Sequence, residues 1–256
     1  MKIRTLLFVV IITSFLPLNT HAIETIRITN GEWPPYMSKE LKHYGFFSHI
    51  ITEAFALQGV KVEWGFFPWK RSYIYAESGE WDATAGWSHF PHREKHFHFS
   101  DTIVDSKWVF FHLKSYPFDW STYRDLREIK VGGTMQYAYK GALQKAEEEG
   151  VIEIERVPQD EQNLKKLLSG RIDIFPQEVE VGYEMINNEF TPEEAMLFTH
   201  HPLPAVASDE LRLLFSKKVE RNRHLVDVFN QGLKQLRESG RIEQMIAASR
   251  KGEYKN

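Results

Sequence analysis

Cysteine is absent from this chain of 256 residues. Disulfide bonds, thiol catalysis, cysteine-based metal centres and a lipid anchor on a cysteine are therefore excluded. An excess of positive charge is also missing, since 32 lysines and arginines face 35 aspartates and glutamates, for a formal net charge of −3. A mildly acidic chain without a basic run is a poor partner for nucleic acid or anionic lipid. Hydrophobic residues still make up 42% of the chain, which is enough to build buried cores.

Long hydrophobic runs are scarce, and the one that stands out lies at the start of the sequence. A short basic start precedes an apolar stretch over residues 6–18, and the small residues Thr20 and Ala22 follow. This layout is typical of a secretory signal peptide cut after Ala22, whereas a spanning helix needs roughly 20 apolar residues. We expect residues 1–22 to be removed and the remainder to be a soluble periplasmic protein.

The first half of the remaining chain has an alternating pattern of strands and helices. Apolar alternation predicts strands at 26–28, 60–66 and 81–87. Helical spacing predicts helices at 47–55, ended by Gly59, and at 69–78, ended by Gly79. Two prolines place a loop at 31–36, directly after the first strand. This β-α-β-α-β order predicts a parallel sheet covered by helices.

The pattern restarts in the second half. Further strands are predicted at 108–113, 129–132, 151–157, 172–175 and 211–215. Further helices are predicted at 137–149, after a capping Asp160, after the Thr191-Pro192 start signal, and at 225–238 with Gly240 closing it. This repetition predicts a second α/β unit.

A short internal echo supports two related halves. Residues 78–82 read SGEWD and residues 169–173 read SGRID. Each copy ends a helix at a glycine and begins a strand, and each aspartate lies at the same place in its strand. The matched context predicts two lobes, each with its own sheet.

Several segments, taken in order, resemble one protein family. They are EWPPY at 32–36, WKR at 69–71, SGEWDA at 78–83, PHRE at 91–94, FSD at 99–101, VG at 131–132, SGRID at 169–173, NQGL at 230–233 and ESG at 238–240. This ordered set resembles the bacterial extracellular solute-binding proteins of family 3, the amino-acid-type periplasmic binding proteins of ABC transporters.

The resemblance implies an α/β, two-lobed periplasmic-binding-protein-like type II fold, in which each lobe is a mixed, mostly parallel sheet flanked by helices. Lobe 1 would hold residues 23–112 and 207–256, and lobe 2 residues 113–206. A small polar, carboxylate-bearing solute, an amino acid or a related compound, would bind between the lobes and be trapped by hinge closure. Delivery to a membrane ABC transporter permease, a monomeric state and the absence of cofactor, metal and enzymatic activity are further expectations.

Arg93 is the central site residue that the resemblance implies. In the family, the matching arginine holds the α-carboxylate of the ligand, because a planar guanidinium can donate two parallel hydrogen bonds to it. The alternative is an ordinary surface arginine paired with Glu94 or Asp101.

Aromatic side chains form a second group of candidates. Trp33, Tyr36, Trp69 and Trp87 are expected beside the cleft, where indole and phenol rings can stack on a ligand or face a cation. Trp87 ends a strand at the edge where open parallel sheets bind ligands, and Ser88 after it offers a hydroxyl. Core packing is the alternative for each of these rings.

Three departures from the family pattern bear on the ligand. Phe90 stands where the family often has threonine, and the segment around Tyr137 replaces the usual Gly-Thr-Thr. Gln177 occupies the place of the aspartate that pairs with the α-ammonium, and the adjacent Glu178 is the candidate substitute. Tyr137, Gln177 and Glu178 therefore complete the predicted ligand-binding set, in which the usual amino-acid clamp is only partly present.

A histidine-rich segment with His89, His92, His96 and His98 lacks compact zinc-ligand spacing and indicates an exposed loop.

Two alternatives to transport stay open. A dehydratase-like enzyme on the same fold would use Glu178 and a histidine such as His89 as acid and base. A soluble ligand-sensing partner of a membrane receptor is the other alternative.

Overall fold

The computed structural model of the protein describes residues 24–135, 139 and 141–256. The predicted signal peptide and Tyr137 lie outside the described residues. The strands are β1 (Glu24–Asn30), β2 (Val60–Phe66), β3 (Ala83–Trp87), β4 (Phe97–Phe99), β5 (Val104–Ser106), β6 (Trp108–Leu113), β7 (Val131–Thr134), β8 (Ile154–Val157), β9 (Phe175–Glu178), β10 (Phe198–Pro204) and β11 (Asp209–Ser216).

The helices alternate with these strands. They are α1 (Phe46–Ala56), α2 (Trp69–Ser78), α3 (Ala142–Glu148), α4 (Asp160–Leu168), α5 (Val179–Glu189), α6 (Pro192–Ala195), α7 (Asn222–Glu238) and α8 (Arg241–Arg250). In the described part of the chain, none of them combines the length and apolar character that crossing a bilayer requires.

The first sheet has the strand order β2-β1-β3-β11-β4, and β5 also pairs with β11. Strand β1 is parallel to β2 and β3, as the sequence pattern predicts. The three pairs made by β11 are antiparallel, so the sheet is mixed but the expectation of mostly parallel pairing is wrong. The reason is that β11 enters this sheet on the return from the second half, without a crossover helix before it.

The second half contains two smaller sheets. Strands β10, β6 and β9 form an antiparallel sheet, and β7 and β8 form a parallel pair. A bridge between Val131 and Ile174 links the two. The predicted boundary at residue 112 would assign β6 to the first lobe, yet β6 pairs with β9 and β10. The chain therefore passes from the first sheet to the second at Lys107, between β5 and β6.

Each half has its own hydrophobic cores. Helices α1 and α7 cover the first sheet, and Phe47, Phe55 and Phe229 are fully buried there. The second half packs two separate clusters, one around Phe110 and one around Phe111, on opposite faces of β6. Separate cores on separate sheets are what a two-lobed chain requires.

Most sequence-predicted elements are present, with local corrections. Asp160 is the first residue of α4 and Gln159 is its N-cap, so the capping role predicted for Asp160 is wrong. The predicted strand at 172–175 lies later, at β9, and α3 is shorter than predicted. The pattern missed β4 and β5, because three-residue strands carry no periodicity, and α5, because it contains valines and a glycine, which are poor helix formers. It also missed β10 and α8.

The internal echo has a structural counterpart. Gly79 and Gly170 both take a positive φ, 82° and 67°, as they end their helices. The carboxylate of Asp82 accepts the backbone N–H of Arg27 at 2.8 Å, and that of Asp173 accepts the backbone N–H of Lys130 at 2.9 Å. In each half, the aspartate therefore makes the same kind of hydrogen bond, to a backbone N–H of the neighbouring chain segment.

This equivalence predicts that replacing either aspartate lowers the stability of the fold. Asp82→Ala should lower the free energy of unfolding by about 1–2 kcal/mol, since Asp82 is 3% exposed and its loss leaves the part-buried Arg27 N–H without this acceptor. Asp173→Ala should cost less because Asp173 is half-buried. Urea denaturation measures both, with the exposed Asp105→Ala as the control. Unchanged stability in Asp82→Ala would contradict the assignment.

Candidate functional site

Several predicted site residues converge at the carboxyl ends of β1 and β3. The loop after β1, the first turn of α2 and the segment after β3 meet at this edge, which is where open parallel sheets bind ligands. The Trp69 indole lies directly over Gly31, and Gly86 faces Met37 and Trp69. Sequence positions far apart in the chain are thereby brought to one place.

The loop after β1 is held by its own backbone. Trp33 and Met37 exchange two backbone hydrogen bonds of 2.7 and 2.9 Å, and the rings of Trp33 and Tyr36 stack with centroids 4.3 Å apart. Tyr36 is fully buried and packs against Phe46. Of the two rings, only that of the half-buried Trp33 offers a surface to a solute in this conformation.

Trp69 and Trp87 form the next part of the edge. Their rings meet edge to face with centroids 5.3 Å apart, and the Trp87 indole N–H donates to Thr84 Oγ1 at 2.9 Å. Tyr73, one turn after Trp69 on α2, also meets the Trp87 ring edge to face. These contacts fix the rings as a rigid wall rather than as separate flexible side chains.

Arg93 lies inside this aromatic wall. Its guanidinium carbon is 4.9 Å from the ring centres of both Trp87 and Phe90 and 5.7 Å from that of Tyr73. Its Nη1 donates to the backbone oxygen of Ser88 at 2.6 Å. The buried Nε has no hydrogen-bond partner among the described residues. Burial also lowers the pKa of Arg93 from its ordinary value, in opposition to the effect of Tyr73.

The surface ion pair considered as an alternative for Arg93 is not what the structure shows. Glu94 contacts His89 at 2.8 Å instead, and Asp101 receives no contact from Arg93 in the described part of the chain. The family's threonine position, Phe90, supplies one ring of the enclosure. Neither Tyr73 nor Phe90 was a predicted site residue. For Tyr73 a signal existed, because its four-residue spacing from Trp69 places these two side chains on one face of α2.

Glu178 lies at the junction of the two halves. The Tyr36 hydroxyl donates to its Oε1 at 2.7 Å, and the backbone N–H of Val181 donates to its Oε2 at 2.9 Å, which caps α5. Glu178 is 2% exposed, and burial raises its pKa to about 7. The adjacent Gln177 accepts the backbone N–H of Glu178, while its buried Nε2 has no partner among the described residues.

A second contact between the halves lies on α5. Glu180 receives two hydrogen bonds from the Arg250 guanidinium of α8, at 2.8 and 2.6 Å. The Arg250 guanidinium also lies 5.5 Å from the ring centre of Tyr183. No sequence pattern indicates this pair, because the two residues are 70 positions apart and neither belongs to a recognised motif.

The histidine-rich segment lies on a short helix at Pro91–Lys95 and its flanks. His89 contacts Glu94, His96 contacts Glu77 at 3.4 Å, and His92 stacks on Phe90. Across residues 24–135, 139 and 141–256, no three histidine or acidic side chains gather in a metal-binding group. His89, His92 and His96 thus have separate neighbours.

A cavity of about 620 Å³ lies beside the junction between the sheets. It is lined by Trp108, Tyr123, Tyr139, Gly141, Ala142, Pro204, Val206, Ala207, Ser208 and Asp209. Among the residues that the structure describes, none of the predicted ligand-binding set lines it. The structure therefore brings together Arg93, Ser88, Trp33, Trp69 and Trp87 at one edge, and Tyr36 with Glu178 and Gln177 at the junction.

Two α/β halves with separate sheets and cores, a chain that crosses between them, and a half-buried arginine against aromatic rings at the strand edge define a solute-binding protein of the type II periplasmic fold. The profile of the bacterial extracellular solute-binding proteins, family 3, matches residues 26–248. The chain belongs to this family, and the resemblance seen in its sequence is confirmed. No curated protein matches the chain.

Solved structures share the fold at low sequence identity. A polar amino acid ABC uptake transporter substrate-binding protein from Streptococcus thermophilus has 18% identity and a TM-score of 0.71, over 90% of this chain and 92% of that one. The GlnP substrate-binding domain 2 of Lactococcus lactis in an open conformation has 17% identity and a TM-score of 0.69, over 88% and 94%. AbpA from Streptococcus pneumoniae bound to L-arginine has 19% identity and a TM-score of 0.52, over 91% and 97%.

Proposed function

We propose that this protein captures a small carboxylate-bearing solute in the periplasm and delivers it, as a monomer, to a membrane ABC permease. The two halves act as lobes that divide at Lys107 and in the connection at 205–208. The solute binds at the carboxyl edge of the first sheet, where the opposing half closes over it. The half-buried guanidinium of Arg93, packed against the rings of Trp87, Phe90 and Tyr73, is the observation that carries this proposal.

Arg93 retains donors for an acidic group. A guanidinium has five N–H donors, and the described structure uses one on the backbone oxygen of Ser88 and one on the Tyr73 hydroxyl. The rings of Tyr73, Trp87 and Phe90 displace water around it, and lower hydration strengthens a charge-assisted hydrogen bond. A carboxylate is the group that fits a planar, partly desolvated cation.

The remaining edge residues suit a solute with an apolar part. Trp33, Trp69 and Trp87 present ring surfaces beside Arg93, and Ser88 adds a polar group. Gln177 and Phe90 replace the family's usual polar partners. An amino acid is supported by the relatives that carry that description, and a related carboxylic acid is the ligand that these two replacements favour.

Contacts across the junction support a hinge. Tyr36 reaches Glu178, and Arg250 reaches Glu180, so both halves touch in this conformation. A structural relative in an open conformation shares the fold. We therefore treat the observed arrangement as a closed form whose opening admits the solute.

The proposal is tested on the mature protein. Mass spectrometry of the small molecules that co-purify with it identifies the solute class, and calorimetry across amino acids, organic acids and short peptides measures affinity. We expect saturable binding of a carboxylate compound. Failure of a folded, solute-free sample to bind any of these compounds would overturn the proposal.

The same sample separates transport from catalysis. The family is one of solute-binding proteins, and we propose that the chain does not turn its ligand over. Incubation with cyclic prephenate-like acids, followed by chromatography, should return them unchanged. Conversion of such an acid that depends on Glu178 would favour the dehydratase-like alternative.

A further inference from the structure

The junction between the halves contains a carboxyl group that has no cationic partner in the described part of the chain. Glu178 forms no ion pair with any residue in the described ranges. The nearest guanidinium, Arg250, is held by both oxygens of Glu180. The charged or titratable groups that face Glu178 there are Tyr36 from the loop after β1, Glu180 from α5 and Arg250 from α8.

An ionised carboxylate is costly in this place. Glu178 is 2% exposed and Tyr36 is fully buried, so closure removes water from both. A buried charge without a countercharge is unfavourable, and a second acidic group in the same turn adds repulsion. Opening of the halves would hydrate the Glu178 carboxylate, because Tyr36 and Glu178 come from opposite halves.

We propose that Glu178 is a proton-dependent latch, which holds the two halves closed without solute when its carboxyl is protonated and releases them when it ionises. In the protonated form, the Glu178 O–H donates to the Tyr36 hydroxyl oxygen, and the Tyr36 hydrogen turns to Ser106, which lies within its reach. On ionisation, that proton leaves to solvent, and Tyr36 donates to the carboxylate instead.

The direction of the pH effect follows from the two states. Closure raises the pKa of Glu178 to about 7 from an ordinary value of 4.5, chiefly by burial. The closed form therefore binds more protons between these values, so closure is favoured at low pH and weakens as the pH rises through about 7. From pH 5 to pH 8 the closed-to-open ratio should fall on the order of 100-fold.

Because the sequence contains no cysteine, dyes can be attached at chosen positions through introduced thiols. Lys70→Cys on α2 and Gln162→Cys on α4 introduce the only two thiols, at exposed positions on opposite halves. Single-molecule energy transfer between dyes on these thiols reports the closed fraction of the solute-free mature protein from pH 5 to pH 8. We expect the closed fraction to fall with rising pH.

Three variants assign the effect to this residue. Glu178→Gln cannot ionise and should give a pH-independent closed fraction. Tyr36→Phe removes a donor to the carboxylate and should raise the midpoint pH, since a hydrogen bond to the charged form is the stronger one. Glu53→Gln is the matched control, because Glu53 pairs with Arg241 inside the first half and should keep the wild-type profile.

A wild-type closed fraction that does not change with pH would overturn the latch. An identical pH profile in wild type and Glu178→Gln would also overturn it. If Glu178→Gln does not fold, an unchanged midpoint pH in Tyr36→Phe would overturn the latch instead. The measurement uses no solute. Arg93→Ala, which tests solute capture, should leave the profile unchanged, so the two proposals fail separately.

Discussion

Arg93→Ala should weaken binding of the carboxylate solute by at least about 2 kcal/mol, which is roughly a thirty-fold rise in Kd. The guanidinium is the cation at the strand edge, and its removal leaves the solute's carboxylate desolvated without a partner. The aromatic enclosure makes this loss larger than for an exposed arginine. Isothermal titration calorimetry with the identified solute measures it.

Arg93→Lys separates the contribution of the positive charge from that of the paired hydrogen bonds. Lysine keeps the positive charge but cannot donate two parallel hydrogen bonds and fits a ring stack less well. We expect an intermediate affinity. Arg223→Ala, an exposed arginine of α7 in the same half, is the matched control and should bind as wild type does. Equal affinities for wild type and Arg93→Ala would remove Arg93 from the site.

Gly232→Ala should lower the free energy of unfolding by about 3 kcal/mol. In α7, a Cβ at this position would lie 2.0 Å from the carbonyl oxygen of Ala54 in α1. A backbone atom cannot move aside as a side-chain end can, so α1 and α7 must separate and their shared core must loosen. Chemical denaturation followed by circular dichroism measures the loss.

The sign of the stability change in Gly232→Ala separates helix packing from helix propensity. Helix propensity alone predicts that alanine in place of glycine stabilises a helix interior by about 1 kcal/mol. Gln231→Ala, on the exposed face of the same helix, is the matched control and should change stability little. Stabilisation by Gly232→Ala would show that the close approach of the two helices is not a constraint.

Much of the fold could be predicted because it is encoded in local periodicity. The alternation that predicts β1, β2 and β3 and the glycines that end α2 and α4 act within one or two turns of chain. The SGEWD and SGRID echo likewise predicts an equivalence that the Asp82 and Asp173 hydrogen bonds display. The antiparallel pairs of β11 were not predictable in this way, because alternation specifies a strand but not its partner.

The candidate site was predictable only in part. Arg93, Trp69 and Trp87 come from segments whose order along the chain resembles one family, and the structure brings them together. Tyr36 was expected at a ligand surface, but its ring lies in the core and its hydroxyl reaches the other half. Its loop position gives no indication of this, since burial depends on what the rest of the chain packs over it.

The amino-acid sequence by itself determined the alternating elements, the family and the residue types at the strand edge. It did so because helix and strand periods, turn residues and motif order are properties of neighbouring positions. The hydrogen bond from Tyr36 to Glu178, 142 positions away, arises from tertiary packing. So does the pairing of Arg250 with Glu180, which leaves Glu178 with no cationic partner among the described residues. Charge and hydration at that junction depend on which groups meet in space, and packing of the two halves selects them.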